Sequence, residues 1–188
     1  YDFIIYGSGL SSKLLALSLS RNNFKSLIIS DKKHKNEKSN LVTFLSEGSL
    51  KYISKILEYE NIFNKSENIE KLYCEHLNSK KETKLEFESN NRSILGKIVP
   101  NVKIDELFDD KISSNSQYIK ISDHQEIIPK IDDKRITISD KSGEIKSARM
   151  LFYCASKQKN DLLSNFDFVE KKLDQVAISA SVSIQRLR

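Results

Sequence analysis

Residues 1–21 read YDFIIYGSGLSSKLLALSLSR, and the fold of this stretch decides what the rest of the chain can be. Tyr1–Tyr6 is an apolar run broken only by Asp2, as expected of a strand buried on both faces. Gly7 and Gly9 follow one residue apart, and from Leu10 the apolar residues Leu14, Leu15 and Leu17 recur on one broad helical face. "NNFK" at 22–25 breaks that helix, and "SLIIS" at 26–30 supplies a second short strand. The spacing predicts a strand–turn–helix–strand unit with parallel strands and a right-handed crossover.

Such a unit is the start of a dinucleotide site when its glycines do three things. The first permits the tight turn, the second lets the backbone approach a pyrophosphate, and a small third residue lets the helix pack against the strand. Gly7 and Gly9 fill the first two places and Ser12 the third. The phosphates would rest on the N–H groups that open the helix. That makes Gly7, Ser8, Gly9, Leu10, Ser11 and Ser12 the candidate cofactor-binding residues. The hydroxyls of Ser11 and Ser12 suit phosphate donation and an ordinary first turn equally well. The second strand should end in an acid that binds the ribose; Ser30 stands there, with Asp31 next. A serine in that place forgoes a charged hydrogen bond of roughly 1.5–3 kcal/mol, about ten- to a hundredfold in affinity. The competing reading is a plain tight turn. The buried strand before it, the helix after it and the second strand on schedule favour the nucleotide site.

At 188 residues, with 38% apolar and 30% charged residues, the chain can bury a core without a disulfide scaffold. Cys74 and Cys154 have no C-x-x-C spacing and read as intracellular thiols that pack rather than react. His34, His76 and His124 are scattered, so no metal site is expected. The net charge of +5 comes from lysines interspersed with Asp and Glu. The densest cluster, DKKHKNEK at 31–38, is of mixed sign and has no aromatic ring to stack on bases, which argues against nucleic acid as a partner. No apolar run reaches membrane-spanning length and no basic-then-apolar leader precedes Tyr1. A cytoplasmic protein is expected, with any membrane contact peripheral.

Further along, Ser49 is expected to cap a helix whose core face is Leu50, Ile53 and Leu57. Ile69–Phe87 reads as an antiparallel hairpin, "IEKLYCEHL" and "KETKLEF" around a polar turn. "SILGKIVP" is a strand stopped by Pro100, and Asn101 is expected to cap a short helix carrying Ile104, Leu107 and Phe108. From Tyr118 the pattern turns β-rich: "YIKIS", "EIIPKI", "RITIS" and "EIKSA", with a turn at 140–143 between the last two. "MLFYCA" at 150–155 is an apolar run that suits the parallel sheet, and "VAISASVSI" at 176–184 alternates like a half-exposed strand. The fold class is therefore α/β: a parallel sheet interrupted by antiparallel excursions.

Five segments carry a resemblance to one family in order and spacing: NLVTFLSEGSLKYISKIL, ENIEKLYC, LGKIVPNVKIDELF, RMLFYCASKQKNDLL and LDQVAISASVSIQR. With the glycine turn, they resemble the FAD-dependent hydroxylases of ubiquinone biosynthesis, the 2-octaprenyl-6-methoxyphenol hydroxylase family. These are flavoprotein monooxygenases of the para-hydroxybenzoate hydroxylase type. The resemblance spans nearly the whole chain but only the N-terminal half of a typical member. It implies a Rossmann-like FAD-binding domain, residues 1–68 and 88–165, interrupted by portions of a β-rich substrate domain, 69–87 and 166–188. It also implies FAD as cofactor, NAD(P)H as reductant, and O2 and a polyprenyl phenol as substrates. Other proteins of the ubiquinone pathway would be partners, at the inner membrane surface.

The resemblance implies no catalytic side chain, because the cofactor carries the chemistry and the protein orients the ring and excludes water. Several family anchors differ here. A cofactor-contacting arginine falls near Leu41, an Asn-Arg pair is Asn101-Val102, and an Ala-Asp-Gly motif aligns with Ala155-Ser156-Lys157. The glycines are Gly7, Gly9, Gly48, Gly96 and Gly143, none followed by aspartate; the resemblance places the family's Gly-Asp flavin motif beyond Arg188. Weak or no FAD retention by these residues alone is the expectation. A degenerate, non-catalytic scaffold of the same fold and a geranylgeranyl-reductase-like flavoprotein are the alternatives.

Overall fold

Strand β1 (Phe3–Tyr6) runs through the glycine turn into helix α1 (Leu10–Ser20), and β2 (Ser26–Ile29) returns alongside β1. There follow β3 (Val42–Ser46), α2 (Glu47–Leu57), β4 (Asn68–Ile69), the pair β5 (Lys71–Asn78) and β6 (Lys81–Glu88), and β7 (Gly96–Pro100). Helix α3 (Asn101–Ser114) leads to β8 (Ile119–Ser122), then β9 (Ile128–Ile131), β10 (Ile136–Ser139), β11 (Ile145–Ala148) and β12 (Met150–Tyr153). The structure is a computed structural model that describes residues 1–30, 41–60, 62–78, 81–89, 94–122, 128–132, 134–139 and 145–154. Asp31, the turn at 140–143, segment 155–159 and the strand expected at 176–184 lie outside the described residues.

The central sheet has the order β12-β1-β2-β8, and its strands are all parallel. As expected, β1 and β2 pair in parallel and MLFY joins the same sheet, Phe3 opposite Met150 and Tyr6 opposite Tyr153. YIKIS was expected only as a short strand, with no sheet assigned; β8 extends the parallel sheet beside β2, Ser26 opposite Ile119. The alternating pattern of YIKIS is that of an edge strand, which reveals a half-covered strand but not which sheet takes it. The rest of the β-structure is antiparallel: β11-β10-β9, β3-β7-β4 and the ribbon β5-β6.

Successive side chains of a strand face opposite sides, and both sides of β1 and β2 are buried. On one side Ile5, Ile28 and Ile119 pack with Ala16 and Leu17 of α1 and with Ile104, Phe108 and Ile112 of α3; Ile53, Ile56 and Leu57 of α2 extend this core. On the other, Ile4, Tyr6, Leu27 and Ile29 are buried as well. Each such side chain contributes roughly 1.5–3 kcal/mol relative to exposure, which is why these strands read as unbroken apolar runs. Strand β11 is tied to the start of β1: the Tyr1 amino group donates to the Ser147 carbonyl at 3.0 Å, and the Arg149 amide to the Asp2 carbonyl at 3.1 Å.

Four local expectations are corrected. The buried face of α1 is Ser12, Lys13, Ala16, Leu17 and Ser20, with Leu10, Leu14 and Leu15 only partly covered. Small residues let the helix lie close to the sheet. Helix α2 is capped by Ser46, not Ser49: the Ser46 side chain accepts from the Ser49 amide at 3.2 Å. VTFLS before it is a strand, so the cap sits at the strand-to-helix junction. Asn101 is not a cap either; Pro100 occupies that place, its fixed φ leading into the helix. The Asn101 Oδ1 accepts from Thr43 Oγ1 at 2.6 Å, which ties α3 to β3. Cys74, expected to pack, is exposed. It lies with Leu72, Leu85 and Phe87 on one face of the β5-β6 ribbon, and all four are exposed.

Candidate functional site

The candidate site is the turn from β1 into α1. Gly7 has φ of 116°, a conformation that a side chain makes costly, and its amide donates to the Ile29 carbonyl at 2.9 Å. The turn is thereby pinned to the end of β2. Gly9 is the N-cap, extended at φ −72° and ψ 175°, and a Cβ added there would meet nothing within 4 Å. Its carbonyl accepts the first helical bond, from the Lys13 amide at 3.1 Å. The amides of Leu10, Ser11 and Ser12 therefore have no acceptor within the helix. Neither a side-chain cap nor an acidic residue in the first turn serves them. This is the positive end of the helix dipole, left open.

The residues expected from the sequence fall into two groups. Gly7, Ser8, Gly9, Leu10, Ser11 and Ser12 form one continuous turn, with Gly9 and Ser11 exposed. Ser12 is fully buried and its Oγ has no partner, so it acts as the small third residue of the turn, not as a phosphate-donating hydroxyl. Ser30 is half-buried at the end of β2, its amide donating to the Ser122 carbonyl at 2.9 Å. Asp31 lies outside the described residues.

The turn also sits at a topological switch. From β1 the chain crosses through α1 to β2 on one flank, while β12 closes the other, its Cys154 amide donating to the Tyr6 carbonyl at 2.8 Å. Ligands of open parallel sheets bind beyond the strand ends at such a point. Tyr6 and Tyr153, the last residues of these two strands, stack there with centroids 5.4 Å apart and planes at 19°.

Sequence reading missed one charged cluster. The Lys13 ammonium, with its side chain 8% exposed, lies 2.6 Å from a carboxylate oxygen of Asp105 and 2.6 Å from one of Asp109. Both acids come from α3, far along the chain, so no local spacing signals the contact. At the far end of α1, Glu58 pairs with Lys111 at 2.8 Å and with Arg21 at 3.7 Å. The hydrogen bond and charge of Lys111, helped by Arg21, hold the Glu58 carboxyl below its ordinary range.

These features fit the diphosphate half of a dinucleotide. The amides are free, the second glycine leaves open space above the turn, and among the described residues no carboxylate competes for the helix end. Nothing among the described residues forms the Gly-Asp segment that the resemblance assigns to the flavin half. No helix of the described residues is long and apolar enough to cross a membrane.

No protein-family model matches the chain. No curated protein sequence matches it. Solved structures do. FqzB superposes with a TM-score of 0.62 at 11% identity, over 87% of this chain and 38% of its own. Tetracycline destructase Tet(51) gives 0.56 at 13% identity, over 81% of this chain and 38% of its own. CtdE, solved in complex with FAD, gives 0.54 at 12% identity, over 81% of this chain and 37% of its own. The chain thus spans well under half the length of these proteins, and what it shares with them is the fold: a mixed α/β architecture with one parallel and several antiparallel sheets.

Proposed function

We propose that this chain is the cofactor-binding portion of an FAD-dependent oxidoreductase. One observation carries the reading: an uncapped helix N-terminus behind a positive-φ glycine, at the switch point of a parallel sheet, in a fold shared with a protein solved with FAD. The amides of Leu10–Ser12 would hold the diphosphate, with Gly9 allowing its approach. Ser30, or Asp31 beyond it, would meet the ribose. Bound FAD would supply redox chemistry; the chain's own part is to orient it and to keep water from the strand ends.

The finer reading is an aromatic-ring hydroxylase of ubiquinone biosynthesis that uses NAD(P)H and O2 on a polyprenyl phenol. It rests on the five resembling segments. The 1–68 and 88–165 residues would form the cofactor domain, and 69–87 with 166–188 part of the substrate domain. A second reading, a scaffold that has lost the cofactor, is favoured by the serine at the ribose position.

The test is equilibrium binding of FAD and of ADP to the purified chain, followed by NAD(P)H oxidation by the full-length protein with a quinone precursor. Saturable FAD binding with ADP as competitor supports the flavoprotein reading. A chain that takes up neither ligand at any concentration supports the scaffold.

A further inference from the structure

We propose that Lys13 is a positioning residue: its ion pairs with Asp105 and Asp109 hold the first turn of α1 in the shape that presents its main-chain amides to a diphosphate. The ligand part of this statement rests on the cofactor reading above; the mechanical part does not.

Lys13 is the fourth residue of α1, and its own amide closes the first helical bond onto Gly9. A cation so near a helix N-terminus is placed against the helix dipole, and a buried ammonium without partners is strongly disfavoured. Here the side chain leaves the turn and crosses to α3, where Asp105 and Asp109 stand one helical turn apart on one face. Each contact is 2.6 Å, one of them a hydrogen bond to Asp105 and the other an ion pair with Asp109, in a nearly closed environment. No other side chain of residues 10–15 makes a hydrogen bond or ion pair outside α1 among the described residues. The apolar contacts of Ala16 and Leu17 grip the middle of the helix; in its opening turn Leu10 packs only partly against the core, and Lys13 adds the polar tie.

The partner helix is itself anchored. The Asn101 amide donates to the Leu41 carbonyl at 3.0 Å, and Asn101 Oδ1 accepts from Thr43 at 2.6 Å. Ile104, Phe108 and Ile112, on the same helix as the two acids, are buried in the core. The pair of carboxylates is therefore a fixed point against which α1 can be held. The arrangement also has a charge consequence. One ammonium faces two carboxylates, so removal of Lys13 would leave two unneutralised anions beside a site meant for another anion.

The experiment is amide hydrogen exchange on the full chain, without ligand, read over residues 10–13 and over Ile4–Tyr6 of β1. Lys13→Met is expected to speed exchange at 10–13 while β1 exchanges as before; Lys13→Arg, which can still reach both acids, is expected to restore the protection. Asp105→Asn/Asp109→Asn, a change on half-exposed side chains, provides the same test should Lys13→Met fold poorly. With ADP as probe, Lys13→Met is expected to raise the dissociation constant about tenfold or more, the equivalent of one lost charged hydrogen bond. Unchanged exchange at 10–13, or equal loosening of 10–13 and β1, overturns the proposal. A wild-type chain that binds neither ADP nor FAD sinks the cofactor reading and the ligand part with it, while ligand-free exchange still decides the mechanical part.

Discussion

The Gly7 amide donates to the Ile29 carbonyl at 2.9 Å, so the turn after β1 is bonded to the last residue of β2 while Gly7 itself sits at φ 116°. A side chain at that dihedral costs roughly 1–3 kcal/mol. Gly7→Ala is therefore expected to lower stability by that amount in urea titration and to weaken FAD binding together with it.

Gly9→Ala separates fold from ligand. The N-cap dihedrals of Gly9 are open to any residue, and an added methyl meets nothing. The expected stability change is less than about 1 kcal/mol. FAD and ADP affinity should nonetheless fall about tenfold or more, because the methyl fills the space a diphosphate needs. Unaltered affinity in calorimetry would show that no ligand approaches there.

Gly96 is needed for a different reason. A Cβ there would clash with the Leu45 carbonyl and lie 2.8 Å from the Phe44 ring on the facing strand β3. Gly96→Ala should destabilise by about 1–3 kcal/mol, as overpacking does. The loss should appear as a lower melting temperature.

The cap of α2 gives a paired test. Ser46→Ala removes the acceptor of the Ser49 amide and should cost about 1 kcal/mol. Ser49→Ala, the change suggested by sequence alone, keeps that bond and should cost less. Equal losses in denaturant melts would contradict the assignment.

Glu58 predicts a pH effect of definite sign. Its carboxyl is held below the ordinary value by Lys111 and Arg21, so its contribution is present above the unfolded-state value and is lost as pH falls through the lowered one. Glu58→Gln should flatten the acid limb of stability against pH in this range. The effect is small, because the pair is exposed, and it should shrink further in high salt.

Much of the fold was legible in the sequence, and for a physical reason. The β1-α1-β2 unit, the ribbon and MLFY are set by local runs and turns, and each was found where the pattern put it. What local pattern does not carry is pairing. The strand β3 hid before a helix start, and β8 joined a sheet whose other members lie far away in sequence. The role of Lys13 had no local signal, because its acids are on α3. In the candidate site the glycines were visible as composition. Ser12 was legible as the small third residue of the turn, but the sequence left its hydroxyl equally open to phosphate, and its burial removes that role.

Strand β1 meets β2 soon after it is made, but its other flank waits for Met150–Tyr153. During synthesis the glycine turn and its helix can form early, while one margin of the opening strand stays bare until nearly all the described chain has left the ribosome. A bare apolar margin is a template for neighbouring chains. Trimming the polypeptide to its smallest nucleotide-like unit would thus remove the element that keeps that unit from self-association, and the shortest fragments would be the least soluble.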